Sequence, residues 1–422
     1  MLPGLAAHFN TTVDEILKAN PIIPRDATTL PAGLPMKIPI YYQPLWGSPF
    51  KILPDSLFVD GPAQVGFNTD AFVAAHPGWL KGYIEYASQA NRSGADIVDT
   101  IAVNYSVSPR LLLALLDYQT GALTSPVPPS NLGDYPLGYR DYAHKGLYMQ
   151  LNWAANALNN AYYAWKYGQL RSFDLQDGRM VRPDPWLNPA SVALQAYFAA
   201  ALPPDQYDHA VSPQGFYQTY LSLFGDPWAG VQPHIPGSLR QPELRLPFAA
   251  GESWAFTGGP HTGWGDGAPY AALDFAPPSL VGGCVPTAEM VTAMAPGVIA
   301  RADPGLAVED LDGDGHEQTG WDILYLHLDH GGMLSVGMTI KSGDPLGHPS
   351  CEEGRATGTH IHIARKYNGE WLPADSPVPF NLEGWIAHAG ADAYLGTLTR
   401  YSRTVNACTC SDQSSQIRSE AR

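Results

Sequence analysis

Gly358-Thr359-His360-Ile361-His362-Ile363 reads as a strand, because side chains two residues apart share a face: both His point one way and both Ile the other. One face is fit for a core and the other for chemistry. Working outward, the sequence from Leu246 onward consists of short β-type runs punctuated by Gly, Pro and Asp, the texture of an antiparallel, all-β domain. The best strand candidates are 298–302, 321–328, 334–336 and 359–365. In the second of these the same period predicts Tyr325, His327 and Asp329 on one face and Leu324, Leu326 and Leu328 on the other. Further upstream, Gly258-Gly259-Pro260-His261-Thr262-Gly263 holds a His in a Gly-rich loop, and thirteen residues after it comes Asp274 in Ala271-Ala272-Leu273-Asp274-Phe275. A catalytic zinc needs three His or carboxylate ligands and an open position, and His261, Asp274 and His362 make such a set.

A chain of 422 residues predicts two or three domains. With 45% hydrophobic and 15% charged residues, 42 Gly and 39 Pro, it is folded and loop-rich. Its formal charge of −16 repels nucleic acid and anionic lipid. No apolar run is long enough to span a membrane, and no basic segment followed by an apolar stretch and a cleavage site opens the chain. Four cysteines fit bridges in an oxidising compartment. Cys284 and Cys351 lie in loops near ligand-bearing segments, which suits a bridge at the rim of the site, whereas Cys408-Thr409-Cys410 is either a tight local bridge or two thiols.

In the first 42 residues, two short helical runs are separated by Asn10-Thr11-Thr12, with Thr12 as a helix cap and Asn20-Pro21 as the stop. Leu34 to Pro39 reads as a short strand. The Ala19-Asn20 pair and the stretch Pro31 to Pro39 resemble the LysM module, which binds N-acetylglucosamine units of peptidoglycan or chitin. That resemblance implies a missing first strand and a start that is truncated. Residues 43–65, rich in Pro, Gly and aromatics, read as a linker. The next part is mainly helical, clearest over 97–116, where Pro109 starts a helix after Ser106 and Ser108, and over 146–165. The segment 102–121 resembles the lysozyme-like fold of lytic transglycosylases. It has Gln119 where that family has its catalytic Glu, and Asp117 faces elsewhere. An amide cannot protonate a glycosidic oxygen, so this part reads as a non-catalytic spacer or glycan-binding domain.

The His261, Asp274, Tyr325-Leu326-His327-Leu328 and His360-Ile361-His362 contexts, in this order, resemble the M23 family of zinc endopeptidases, which includes lysostaphin-like and β-lytic enzymes. The resemblance implies that His261, Asp274 and His362 bind zinc, that His360 is the general base and that His327 hydrogen-bonds the tetrahedral oxyanion. Many members space the first His and the Asp more closely; the longer interval here selects the β-lytic branch. Asp266, the competing carboxylate in that interval, reads as a turn residue between glycines. Tyr325 and Thr359 read as packing groups, and Asp310-Leu311-Asp312-Gly313-Asp314-Gly315 as a polar hairpin turn in preference to a calcium loop, since Trp321 stands where an EF-hand needs Glu.

The expected fold is therefore multidomain: a small α+β LysM-like module (1–42), a linker (43–65), a mainly α lysozyme-like domain (66–235), a mainly β antiparallel M23-like domain (236–400) and a polar, frayed tail (401–422). The expected function is zinc-dependent hydrolysis of peptide bonds in peptidoglycan by metal-activated water, outside the cell or in its envelope. Stem peptides or cross-bridges and a GlcNAc-containing glycan are the implied partners. The alternative is a non-catalytic wall-binding or hydrolase-activating protein.

Overall fold

The computed structural model describes residues 1–40, 46–130, 133–279, 281–410 and 412–420. Two compact units emerge, Met1–Ser238 with Trp264–Asp266, and Leu239–Gly263 with Gly267–Arg422.

The first unit is mainly helical. Helices α1 (Leu2–His8) and α2 (Val13–Ala19) are separated by Thr12, whose hydroxyl accepts from Glu15 N while the Glu15 carboxylate accepts from Thr12 N, closing a capping box. Asn20 ends α2 and clamps residue 37: its amide donates to Lys37 O (2.6 Å) and its Oδ1 accepts from Lys37 N (2.7 Å). The expected strand over 34–39 does not form, because Asn20 takes up the backbone of Lys37 that a partner strand would have paired. Next come α3 (Thr69–Ala74), the hairpin β1 (Ile84–Ala87) and β2 (Ala90–Ser93), α4 (Gly94–Tyr105), α5 (Pro109–Thr120) and α6 (Gly146–Lys166). A second hairpin, β3 (Phe173–Asp174) and β4 (Met180–Val181), precedes α7 (Pro189–Ala201), α8 (Pro204–Ala210) and α9 (Phe216–Phe224). The apolar run over 97–116 breaks where Ser106 takes a left-handed backbone (φ 54°), and Ser108 caps α5 just ahead of Pro109.

Residues 46–65 are not a loose tether. Ile52, Leu53, Phe58 and Val59 are almost fully buried, and Phe58 stacks on Tyr162 of α6 at 4.4 Å between centroids. Aromatic and branched side chains between prolines supplied anchors that outweighed the composition. The 41–45 part of the expected module and linker lies outside the described residues. Among the described residues no helix is long and apolar enough to cross a membrane.

The second unit is mainly antiparallel β. Its strands are β5 (Ser253–Thr262), β6 (Tyr270–Ala276), β7 (Val291–Thr292), β8 (Gly297–Asp303), β9 (Gly305–Asp310), β10 (Trp321–Asp329), β11 (Thr339–Ile340), β12 (Pro345–Pro349) and β13 (Ile361–Tyr367). After these come β14 (Glu370–Trp371), β15 (Asn381–Leu382), β16 (Trp385–Ala389), β17 (Gly396–Arg400), β18 (Arg403–Asn406) and β19 (Gln416–Arg418). The main sheet runs β11-β8-β9-β10-β13-β6-β5-β19, and β15 to β18 form a separate four-stranded sheet. Residues 334–336 are not a strand; the pairing falls on β11, a few residues later. The expected frayed tail is also corrected. Ile417 is fully buried and β19 pairs with β5, so this segment covers an edge that would otherwise stay open.

Ile299, Ile323, Ile361 and Ile363 sit in one core cluster on the apolar face of the sheet. Strict alternation fails in β10. Tyr325 and Leu328 both belong to that core, because the pairing with β9 slips between Leu326 and Leu328 and His327 takes φ 63°. The bulge turns His327 out of the core, whereas an unbroken strand would have aimed it the same way as Tyr325.

Candidate metal centre

Three neighbouring strands bring the expected residues together. His362 on β13 lies directly opposite Asp274 on β6, and β5 delivers His261 opposite Ala272 after two register slips in its Gly-rich stretch. Gly258 stands opposite Asp274, where a Cβ would come within 2.3 Å of the Asp274 Oδ2; only glycine leaves room for this carboxylate.

His261 Nε2 is 3.0 Å from His362 Nδ1 and 3.3 Å from Asp274 Oδ1, and His362 Nδ1 is 3.4 Å from the same oxygen. His360 Nε2 stands just outside, 3.8 Å from Asp274 Oδ1. The His327 ring lies 4.5 Å from that of His360 and 6.1 Å from that of His362. His261, Asp274, His362 and His327 are buried, whereas the His360 side chain keeps 16% of its surface exposed and opens the group to solvent. Asp266 is not part of the convergent group.

Backbone carbonyls set the tautomer of all four imidazoles. His261 Nδ1 donates to Gly259 O, His362 Nε2 to Gly263 O, His360 Nδ1 to Gly358 O and His327 Nδ1 to Glu352 O. A nitrogen that donates to a carbonyl carries the proton, so in each neutral ring the other nitrogen presents a lone pair. The His261 and His362 lone pairs therefore face each other and Asp274 Oδ1, a buried oxygen without a hydrogen-bond partner. With all rings neutral these three electron-rich atoms would repel; a proton on His261, which Asp274 favours, or a metal cation at their centre removes the conflict. Ligand atoms about 2 Å from a tetrahedral ion lie about 3.3 Å apart, which the three separations match, and His2Asp suits zinc. The residues fit the metal, and their fixed tautomers are the outer-shell arrangement that such ligands use.

The electrostatics agree. Burial works against the Asp274 charge, yet the surrounding imidazoles, His261 foremost, hold its carboxyl well below the usual range. Burial opposes a charge on His261 as well, but Asp274 outweighs it and raises that ring. Burial lowers His362, and burial followed by the His360 and His362 charges lowers His327 to about 4. At neutral pH Asp274 is ionised while His327 and His362 are neutral; His261, whose pKa Asp274 raises, must release any second proton when a metal binds.

Sequence reasoning missed several contributors. Tyr394 stacks on His261 at 4.1 Å between centroids, and Gly259, Gly263, Gly358 and Glu352 act only through backbone carbonyls, which leave no side-chain signal. Thr359 does more than pack: its hydroxyl donates to Val285 O and accepts from Val285 N, fixing the segment beside Cys284 to the residue before His360. Cys284 and Cys351 are bridged, and so are Cys408 and Cys410. The first bridge thus joins the Val285 segment to the Glu352 segment that orients His327. Opening it by Cys284→Ala with Cys351→Ala is expected to cost about 4 kcal/mol, from the chain entropy of a loop this long. Denaturant unfolding would check the loss, and zinc content should persist because all three ligands sit on strands.

Comparison with known proteins places these observations. Residues 51–237 match the family described as LasA, N-terminal domain. Protease LasA of Pseudomonas aeruginosa, in strains UCBPP-PA14 and PAO1, is 28% identical over 339 residues, covering 76% of this chain and 74% of that protein. Among solved structures, the M23 metalloprotease pseudoalterin from the deep sea is 25% identical, covering 40% of this chain and 96% of its own (TM-score 0.34). The catalytic domain of lysostaphin from Staphylococcus simulans is 22% identical, covering 29% of this chain and 89% of its own (TM-score 0.21).

Proposed function

We propose that this chain cuts peptide bonds of bacterial peptidoglycan at the centre formed by His261, Asp274 and His362, with His360 and His327 moving the protons. It is a LasA-like M23 zinc metallopeptidase, with a helical N-terminal region and a mainly antiparallel β unit that carries the His-Asp-His site. The observation that carries the reading is the convergence of three ligand-type atoms, His261 Nε2, His362 Nδ1 and Asp274 Oδ1, on one buried point.

Zinc, when bound, supplies Lewis-acid activation of water and of the scissile carbonyl. The rest is the work of the chain. His360 presents its Nε2 lone pair at the solvent-facing rim, so it accepts the proton of the attacking water and passes it to the leaving amine. His327 cannot donate to an oxyanion in its resting form, since its one proton is spent on Glu352 O and its pKa lies near 4. It becomes a donor when it shares the proton that His360 takes from water, their rings being 4.5 Å apart; the hydrogen-bonded proton then returns through His360 to the leaving amine. The left-handed backbone at His327 is the local strain that aims this ring.

In this reading the helical unit adds no glycosidase chemistry. Gln119 donates to Leu137 O and accepts from the Tyr197 hydroxyl, a packed pair where a lysozyme-like cleft needs an acid. The Asn20 clamp on Lys37 supports the finer LysM-like reading of residues 1–42, and glycan binding there would raise the effective concentration of wall peptide at the metal centre. Two disulfides suit an oxidising compartment outside the cytoplasm.

The test is digestion of purified peptidoglycan by the full chain. Release of new free amino groups, stopped by a chelator and restored by zinc, is expected. Release of reducing sugar ends would assign the activity to the helical unit instead. Retained zinc with no release of either kind would make this a binding or hydrolase-activating protein.

A further inference from the structure

The hairpin between β9 and β10 begins Asp310-Leu311-Asp312-Gly313-Asp314-Gly315 and returns through Gly320-Trp321-Asp322. We infer that it holds one calcium ion, ligated by the carboxylates of Asp310, Asp312 and Asp314 from the loop, with the buried Asp322 of β10 beside Asp310 as the neighbouring carboxylate that the ion's charge stabilises. Each of the three loop residues offers an oxygen within 4.8 Å of the others. A clustered loop alone would be an ordinary acidic turn; Asp322 makes the difference.

Asp322 is fully buried, and neither of its carboxylate oxygens has a hydrogen-bond partner. It stands directly opposite Asp310 in the β9–β10 ladder, so the two side chains share a face of the sheet. On its other side it faces Lys366 of β13, but that ammonium is bonded to Glu317 at 2.9 Å, and Glu317 also takes Arg301 at 3.1 Å. The group therefore assembles five carboxylates, of Asp310, Asp312, Asp314, Glu317 and Asp322, against the two cations Arg301 and Lys366. Burial first, then the carboxylates of Glu317, Asp310 and Asp312, push the Asp322 pKa well above the ordinary range, with Lys366 pulling the other way. Lys366 is the one cation that faces Asp322, and it is shared with Glu317, so a bound metal cation would supply the counter-charge that lets Asp322 ionise.

The rest of the loop is shaped for a hard cation. Asp310 Oδ1 accepts from Asp312 N (2.9 Å) and Gly313 N (3.2 Å), and its Oδ2 from Gly315 N (2.7 Å), which wraps the backbone around the first carboxylate. The Asp312 carboxylate folds over Gly320, where a Cβ would collide with Oδ2, bringing it to the end of the loop that leads into Asp322. All donors are oxygens, which favours calcium over zinc. An EF-hand takes its closing bidentate carboxylate at the twelfth position, filled here by Trp321; the next residue, Asp322, is the nearest carboxylate in sequence and stands opposite Asp310 in the ladder. Occupation would fasten β9 to the start of β10, the strand that carries His327.

The test titrates calcium chloride into the full chain at fixed zinc, read by calorimetry and by thermal unfolding. One calcium per chain, with a Kd of about 10⁻⁵–10⁻³ M, and a rise in unfolding temperature are expected. The exposed pair Asp312→Asn with Asp314→Asn should weaken binding at least about tenfold and remove the temperature rise while the chain stays folded and keeps its zinc. Asp322→Asn should weaken it similarly; if that variant fails to fold, the double variant decides. No uptake up to about 10 mM calcium, or uptake unchanged in the double variant, would overturn the assignment.

Discussion

His362→Ala is expected to remove zinc from the chain and with it all measurable release of amino groups from peptidoglycan. His362 Nδ1 closes the triangle with His261 Nε2 and Asp274 Oδ1, and the ring is fixed by Gly263 O, whereas His360 stands farther from that oxygen at 3.8 Å. Loss of even an outer-shell partner weakens metal binding about 10–100-fold, and loss of a ligand should exceed that. Elemental analysis after dialysis, alongside circular dichroism to verify the fold, gives the readout. Full zinc occupancy in this variant would remove His362 from the ligand set and leave the reading of the centre without its basis.

His360→Ala should separate metal binding from catalysis. His360 stands 3.8 Å from Asp274 Oδ1, outside the triangle whose edges are 3.0, 3.3 and 3.4 Å, and part of its side chain remains exposed. Zinc content is therefore expected to stay at one per chain while turnover falls by about 10²–10⁴-fold, the usual worth of a positioned general base. KM should change little, because His360 holds a proton and not the substrate. Zinc lost together with activity would instead make His360 a ligand and require another base.

These two outcomes concern residues that were legible in the sequence, and the reason is local. A two-residue period separates His360 and His362 from Ile361 and Ile363 without reference to any other strand, and the chemistry of a His2Asp set is fixed by residue type. Helix starts were legible for the same reason: Thr12, and Ser108 ahead of Pro109, each cap the backbone of the next few residues. Composition was a poorer guide. Prolines and glycines in 46–65 suggested a linker, yet Phe58 and its neighbours found a buried place against α6. Polar residues after 400 suggested fraying, yet Ile417 was enough to bring β19 onto β5.

The sequence by itself singled out His261, Asp274 and His362 as a His2Asp set by residue type, put His362 on the face opposite Ile361 and Ile363, and showed that a helical part precedes a β part. Tertiary structure alone decided the rest, because it depends on pairings between distant segments. The slip between Leu326 and Leu328 turned His327 from the core to the site, and a one-residue change of register is invisible to a pattern read along a single strand. Carbonyls of Gly259, Gly263, Gly358 and Glu352 chose the tautomers, Tyr394 came to lie on His261 from 133 residues away, and the β9–β10 register placed Asp322 beside Asp310. Backbone groups carry no residue identity, and contacts between remote segments have no sequence period, so only the folded chain expresses them.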